Sequence, residues 1–224
     1  MNRREFVIST VAYAVALSTP ARIIGQKKAI EPDLASLSDG KGLTLFNRTA
    51  STLTDGARKG LHLSEAQGDG GAYLTGIEFA NGTIELDIRG KDVPQQSFVG
   101  IMFHGVDATT YDGIYFRPFN FKTDDAARRI RAVQYIAHPT YPWQKLRTDT
   151  PGKYEKPVNP VPDPNGWFHA RVVVASPKVS VFVDDGKEPC LVVDQLSDRK
   201  KGLVGVWAGN TSGGDFANLK ITPA

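Results

Sequence analysis

In the stretch Thr83-Ile84-Glu85-Leu86-Asp87-Ile88-Arg89, apolar and polar residues alternate at every position. A period of two puts Ile84, Leu86 and Ile88 on one side of an extended chain and Thr83, Glu85, Asp87 and Arg89 on the other. This is a strand with one face in a core and one in water. Comparable runs at residues 98–103, 113–121, 130–137, 167–174, 203–208 and 216–222 predict about nine or ten strands. Asn81-Gly82 is a hairpin signal, and Asp184-Asp185-Gly186 turns the run 179–183 back into 190–193. After the first 26 residues no segment keeps a helical period for three turns, and 22 glycines and 14 prolines punctuate the chain. Strands buried on one face only, separated by turns, predict an all-β fold of two packed antiparallel sheets. No repeat of blade or solenoid length is present.

Residues 1–26 have the order of an export signal. Asn2-Arg3-Arg4-Glu5-Phe6 precedes an uncharged stretch, 7–18, that is too short to span a bilayer and is followed by small residues. The paired arginines resemble a twin-arginine signal, though general secretory signals also carry such pairs. Residues 27–41 read as a linker and 42–222 as one domain, in a periplasmic or extracellular protein with no membrane span in its mature part. The formal charge of +3 shrinks once the leader's three arginines and one glutamate are removed, leaving 24 basic against 23 acidic groups. No field for nucleic acid or anionic lipid remains. Cys190 is the only cysteine, so no internal disulfide can form, and its apolar run reads as a buried strand.

Residues 138–166 break the regularity. They hold seven of the fourteen prolines and no usable strand pattern, so they must form loops crossing the sheet. Disordered linkers lack aromatics, whereas this segment contains Tyr141, Trp143 and Tyr154, which favours an ordered binding loop.

The C-terminal half carries Trp167-Phe-His-Ala-Arg-Val-Val-Val174, Val179-Ser-Val-Phe-Val-Asp-Asp185, Gly202-Leu-Val-Gly-Val-Trp207 and Gly214-Asp-Phe-Ala-Asn-Leu-Lys-Ile221. These segments resemble the concanavalin A-like lectin/glucanase jelly rolls. Within that superfamily, Asp87-Ile-Arg89 and Val99-Gly-Ile-Met-Phe103 are most similar to the 3-keto-disaccharide hydrolase-like domains. The likeness covers about residues 42–222. It implies a jelly-roll β-sandwich acting on a carbohydrate, as a hydrolase or lyase of modified glycosides or, alternatively, as a non-catalytic lectin-like binding module. Two departures stand out: His104 replaces an arginine expected downstream of Gly100, and a central Tyr-Glu-x-Gln pattern is only echoed by Val133-Gln134-Tyr135.

Glu85-Leu-Asp87-Ile-Arg89 invites comparison with two-carboxylate glucanases, but residues i and i+2 of a strand are about 6.6 Å apart at the backbone, and Arg89 stands where the second carboxylate belongs. Asp107, Asp112 or Asp124 would have to supply the missing group. The alternative for the triplet is a salt-bridge-laced face in water. Sugars need flat aromatic surfaces beside planar polar groups, and residues 103–154 hold 10 of the 21 aromatics, twice an even share. The period predicts Tyr115, Arg117, Phe119 and Phe121 on one face and Phe116 on the other. The expected site therefore has Glu85, Asp87 and His104 as acid/base candidates and Arg89, Tyr115, Arg117, Gln134, Tyr135 and Trp143 as binding residues, with Gly100 leaving room for the ligand. The spacing of His62, His104, His138 and His169 supports no transition-metal site. Calcium could use aspartates such as Asp215, but no loop has its ligand pattern, so no cofactor is expected. Three Asn-x-Ser/Thr sequons, at Asn47, Asn81 and Asn210, mean little if the exporting cell is bacterial.

Overall fold

The computed structural model describes residues 28–37 and 41–224; the expected export signal lies outside them. The chain runs through α1 (Leu34–Leu37), β1 (Leu43–Phe46), β2 (Ala50–Asp55), β3 (Arg58–Leu63), β4 (Gly70–Phe79), β5 (Gly82–Arg89), β6 (Val99–Gly105), β7 (Asp112–Phe116), α2 (Ala126–Arg129), β8 (Val133–Ala137), α3 (Trp143–Asp149), β9 (Glu155–Lys156), β10 (Trp167–Ala175), β11 (Lys178–Val183), β12 (Leu191–Asp194), β13 (Gly202–Ala208) and β14 (Gly214–Pro223). Two seven-stranded antiparallel sheets result. The front sheet has the order β1-β4-β13-β6-β7-β8-β9 and the back sheet β12-β11-β10-β5-β14-β3-β2.

The predicted β-sandwich is the observed one, and its strands are more numerous than the periodicity suggested. The added ones are β1 to β4, between residues 43 and 79, where burial is irregular and no clean alternation marks them, and the two-residue β9 in the proline-rich segment. The segment read as a linker also joins the fold: Ile30 and Ile221 exchange backbone hydrogen bonds at 2.8 Å, and Leu34 is buried. The expected strand 113–121 stops at Phe116, because Pro118 opens a short 3-10 turn. That turn sends Phe121 into the core, against Phe168 at 5.4 Å, and away from Tyr115 and Arg117. Among the described residues no helix is long and apolar enough to cross a membrane.

The two sheets bury their outer faces differently. In β10 buried and half-buried residues alternate, as a water-facing outer surface requires. Every residue of β6, β7 and β8 is buried, so something covers the front sheet's outside. The cover comes from the proline-rich segment, whose α3 packs on β8 and whose β9 extends the sheet.

The outer face of the back sheet is a network of paired charges. Asp87 accepts hydrogen bonds from Arg58 (3.0 Å), Asn218 (2.8 Å) and His169 (2.9 Å), and Glu85 lies 3.8 Å from His169. Arg89 reaches Asp215 and Asp55, and Trp167 donates its indole N–H to Asp55 while Arg58 and Arg89 stack over its ring. Burial pushes the Asp87 carboxyl up, but the three donors outweigh it and hold it at about 2. The hydrogen bond to Asp87 raises His169 above its ordinary 6.5. The depressed carboxylate stabilises the fold above about pH 4, and this is lost as pH falls toward 2; the raised histidine stabilises it below pH 6.5, and this is lost as pH rises through its folded value. In Asp87→Asn both limbs should flatten, with a melting temperature lower by about 2–4 °C at pH 5.5. Superimposable melting-temperature profiles from pH 2 to 9 for the two proteins would refute the network's role.

Candidate functional site

A transverse row crosses the front sheet. Register places Gly71 of β4 beside Trp207 of β13, then Gly100 of β6, Tyr115 of β7, Gln134 of β8 and Glu155 of β9. Phe116 meets Phe168 of the back sheet at 5.0 Å, so it points inward, and the strand period turns Tyr115 outward. The outward residues border a cleft of about 900 Å³ walled by Phe98, Tyr115, Phe119, Trp143 and Trp207. Polar groups interrupt these walls: Asp69, Arg117, Arg131, His138, Arg147 and Asn210 also line it.

Arg117 anchors the floor. Its guanidinium is buried and donates to the Arg131 carbonyl at 2.8 Å, to the Tyr115 hydroxyl and to the Gln134 side-chain oxygen, which also accepts from Tyr115 at 3.1 Å. Burial pulls the Arg117 pKa down, and Arg147 and Arg131 add to the shift. Burial pushes the Tyr115 phenol up to about 12. Glu155, only 4% exposed, sits among three arginines: Arg147 at 2.8 Å, Arg131 at 3.6 Å and Arg117 at 3.9 Å. Arg147 in turn lies over the Trp143 ring at 4.6 Å.

The cleft's own carboxylate is Asp69, from the turn Gly68-Asp-Gly-Gly71. Its Oδ2 lies 4.0 Å from His138 Nε2. Desolvation raises the Asp69 carboxyl, against the opposing pull of His138 and the Asn210 backbone N–H, and it lowers His138. His138 stacks on Tyr111 at 5.1 Å, and the Tyr111 hydroxyl accepts the Trp207 indole N–H at 2.9 Å. Arg48 fixes the loops around Asp69 by donating to the carbonyls of Asn47, Gly68, Ala208, Gly209 and Ser212.

The expected convergence divides. Tyr115, Arg117, Gln134 and Trp143 come together on the front sheet. Glu85, Asp87 and Arg89 lie on the opposite side of the sandwich, because β5 pairs with β10 and β14 rather than β6. His104 is fully buried: a left-handed backbone angle (φ 49°) breaks the alternation and turns it inward, where Nε2 donates to the Ala80 carbonyl (2.7 Å) and Nδ1 accepts from Gln195 (2.9 Å). Burial lowers its pKa, so it is a neutral, satisfied core histidine. Tyr135 also faces inward, its hydroxyl bonding Asp112 and the Leu196 amide. The space expected at Gly100 belongs to the neighbouring strand, since a Cβ there would lie 2.1 Å from the Ile114 oxygen. Asp112 is buried under Ser197 and Arg199 and supplies no second carboxylate to the cleft. Sequence reasoning missed Asp69, Arg131, His138, Arg147 and Trp207. Asp69 sits in a glycine-rich turn, while Trp207 lies near the end of an otherwise apolar strand, so neither stood out by its residue type and spacing. Among the described residues no cluster of three His, Cys, Asp or Glu could hold a metal.

The fold and an aromatic cleft on one sheet define a galectin-like β-sandwich of the concanavalin A-like class. The chain is similar to carbohydrate-binding module CBM66 from Bacillus subtilis (TM-score 0.57, 16% identity, covering 81% of this chain and 96% of that one). It is also similar to a galectin-like protein from Bacillus subtilis (0.58, 13%, 88% and 96%) and to a putative glycosyl hydrolase from Parabacteroides distasonis (0.56, 13%, 87% and 100%). A search of curated proteins finds no match. The family model of the 3-keto-alpha-glucoside-1,2-lyase-like domain matches residues 33–222, and the chain belongs to that family. The membership is carbohydrate-related, in line with the resemblance seen in the sequence.

Removing the one negative charge from the arginine cluster tests the cleft floor. Glu155→Gln should cost about 3 kcal/mol, lowering the melting temperature by about 6–12 °C. A shift under 2 °C would show that the cluster does not hold α3 and β9 in place.

Proposed function

We propose that the chain is an exported carbohydrate enzyme that cleaves a 3-keto glycoside by elimination, with the front-sheet cleft as its active site. The observation that carries this reading is a single raised carboxyl, Asp69, 4.0 Å from His138 inside an aromatic-walled cleft. Hydrolysis by a carboxylate pair needs two such groups; elimination needs one base. A ketone at C3 acidifies the proton on C2. Asp69 takes that proton, the electron pair forms a C1=C2 double bond conjugated with the ketone, and the C1–O bond to the aglycone breaks. The leaving oxygen gains a proton from water or, through His138, from the site. The exposed ring of Trp143 and the half-buried ring of Phe98 offer faces on which the sugar's C–H groups stack, and the buried guanidinium of Arg117 supplies positive potential for the enolate oxygen. The export-signal order of residues 1–26 supports a place outside the cytoplasm.

Turnover of a 3-keto glucoside, followed by enone absorbance, tests the reading. Asp69→Asn should lower kcat by about 10²-fold or more. In the wild type the rate should rise with pH through the elevated Asp69 pKa, because the ionised form is the base, and this limb should vanish in the variant. An unchanged kcat in Asp69→Asn would sink the assignment. Glycan binding by a wild type that turns over no keto glycoside would favour the lectin-like alternative.

A further inference from the structure

The cleft offers more hydrogen-bond donors and positive charge than its own residues use. Arg117, Arg128, Arg131, Lys145 and Arg147 line it, against one carboxylate, Asp69. Lys145 is paired with Asp149, and Glu155 offsets one charge of the group Arg117, Arg131 and Arg147. Arg128 bonds only neutral acceptors, the Asn120 side-chain oxygen and the Phe119 carbonyl. A second observation is independent of charge. The Arg131 Nε and the side-chain nitrogen of Gln134 are buried and have no hydrogen-bond partner among the described residues. Gln134 is 1% exposed, and its oxygen is already used by Tyr115 and Arg117, so only its donor end is left over. Buried donors without acceptors are rare; Arg131 lines the cleft and Gln134 lies in its floor beside Tyr115, so a ligand that brings acceptors suits this end of it. A neutral sugar hydroxyl can donate as readily as it accepts, whereas a carboxylate or sulfate only accepts and forms stronger, charge-assisted bonds with guanidinium groups.

We propose that the glycoside held in this cleft carries an oxyanion substituent, a carboxylate or a sulfate, that is bound by Arg131 and Arg147 beside Trp143. The inference rests on the reading of the cleft as a sugar site and adds the chemical class of its ligand. Arg147 is suited to the task because it is held from two sides: its Nε and Nη2 bond Glu155, and its plane lies over Trp143. Arg131 is half-exposed and holds Glu155 only at 3.6 Å, so its guanidinium can turn toward a ligand with little loss.

Tryptophan fluorescence titration at about 0.05 M salt would compare a glucuronate-bearing disaccharide with its methyl ester, and a sulfated disaccharide with its unsulfated parent. At least one anionic sugar should bind about tenfold or more tighter than its neutral partner, and the ratio should shrink at 0.5 M salt as screening sets in. Preference for one anion over the other identifies the substituent. Arg131→Gln and Arg147→Gln should each reduce the ratio toward one, and Arg131→Lys should keep most of it. Melting curves of these variants separate lost recognition from lost fold, and the wild-type comparison stands without them. Equal affinity for charged and neutral partners overturns the proposal while leaving the sugar site intact. Failure of all four sugars to bind overturns both.

Discussion

Three guanidinium groups gathered around one buried carboxylate are a costly arrangement, and the front of the molecule depends on how that cost is met. Taken from water separately, Glu155 and Arg117 would each be strongly destabilising. Together, with the Arg131 carbonyl, the Tyr115 hydroxyl and the Gln134 oxygen as further acceptors, they link β7, β8, β9 and α3 through side chains that have few alternative partners. The proline-rich segment can therefore be ordered without a regular strand pattern. Its prolines lower the entropy of the unfolded chain, and Glu155 gives β9 a charged anchor at the sheet edge. The wall bearing Trp143 and Arg147 follows from that anchor.

The two outer faces of the sandwich solve one problem in opposite ways. On the back sheet Asp87, Asp215 and Asp55 each have a cation or a strong donor within 3.0 Å, and the cations stack on Trp167. Such a face has little left to offer a ligand. On the front sheet two buried donors lack acceptors, the Trp143 ring is exposed along one wall, and a carboxyl is held above its ordinary range. Satisfied polar groups mark structure and unsatisfied ones mark function, because evolution has no reason to retain the cost of the latter unless a ligand removes it.

Alternation revealed the strands but not the sheet to which each belongs. For β5, β10, β11 and β14 the period of two was legible directly, and it correctly put Glu85, Asp87 and Arg89 on one outward face. It could not show that the chain crosses from the back sheet to the front between Arg89 and Val99, since sequential strands often pair and here they do not. Gln134 and Tyr135 illustrate a finer limit: register against Tyr115 decides which of them faces out, and register is a tertiary property. His104 lay beyond reach for a different reason, a single positive φ that reverses the alternation at the end of β6. The residues that pointed to the cleft were those whose chemistry suits no core: Arg117 next to two aromatics, and Trp143 in a proline-rich segment.

On the proposed reading, the place of Asp69 in a turn accounts for its role. A carboxylate within a strand would pair with a neighbour across the ladder, as Asp87 does with His169, and its pKa would fall. A turn residue has no cross-strand partner imposed on it. Placed at the mouth of an aromatic cleft, with Arg48 holding the surrounding carbonyls and burial lowering His138, Asp69 is partly desolvated and has no cation closer than His138 at 4.0 Å. Its carboxyl rises toward the range in which it can accept a proton from carbon and release it again. Asp87 on the back sheet, held at about 2 by its three donors, is too weakly basic for that task, and its partners leave it little access to a substrate. On that reading the β-sandwich separates stability from reactivity, with the tightly hydrogen-bonded Asp87 in a strand and Asp69, 4.0 Å from His138, in a turn.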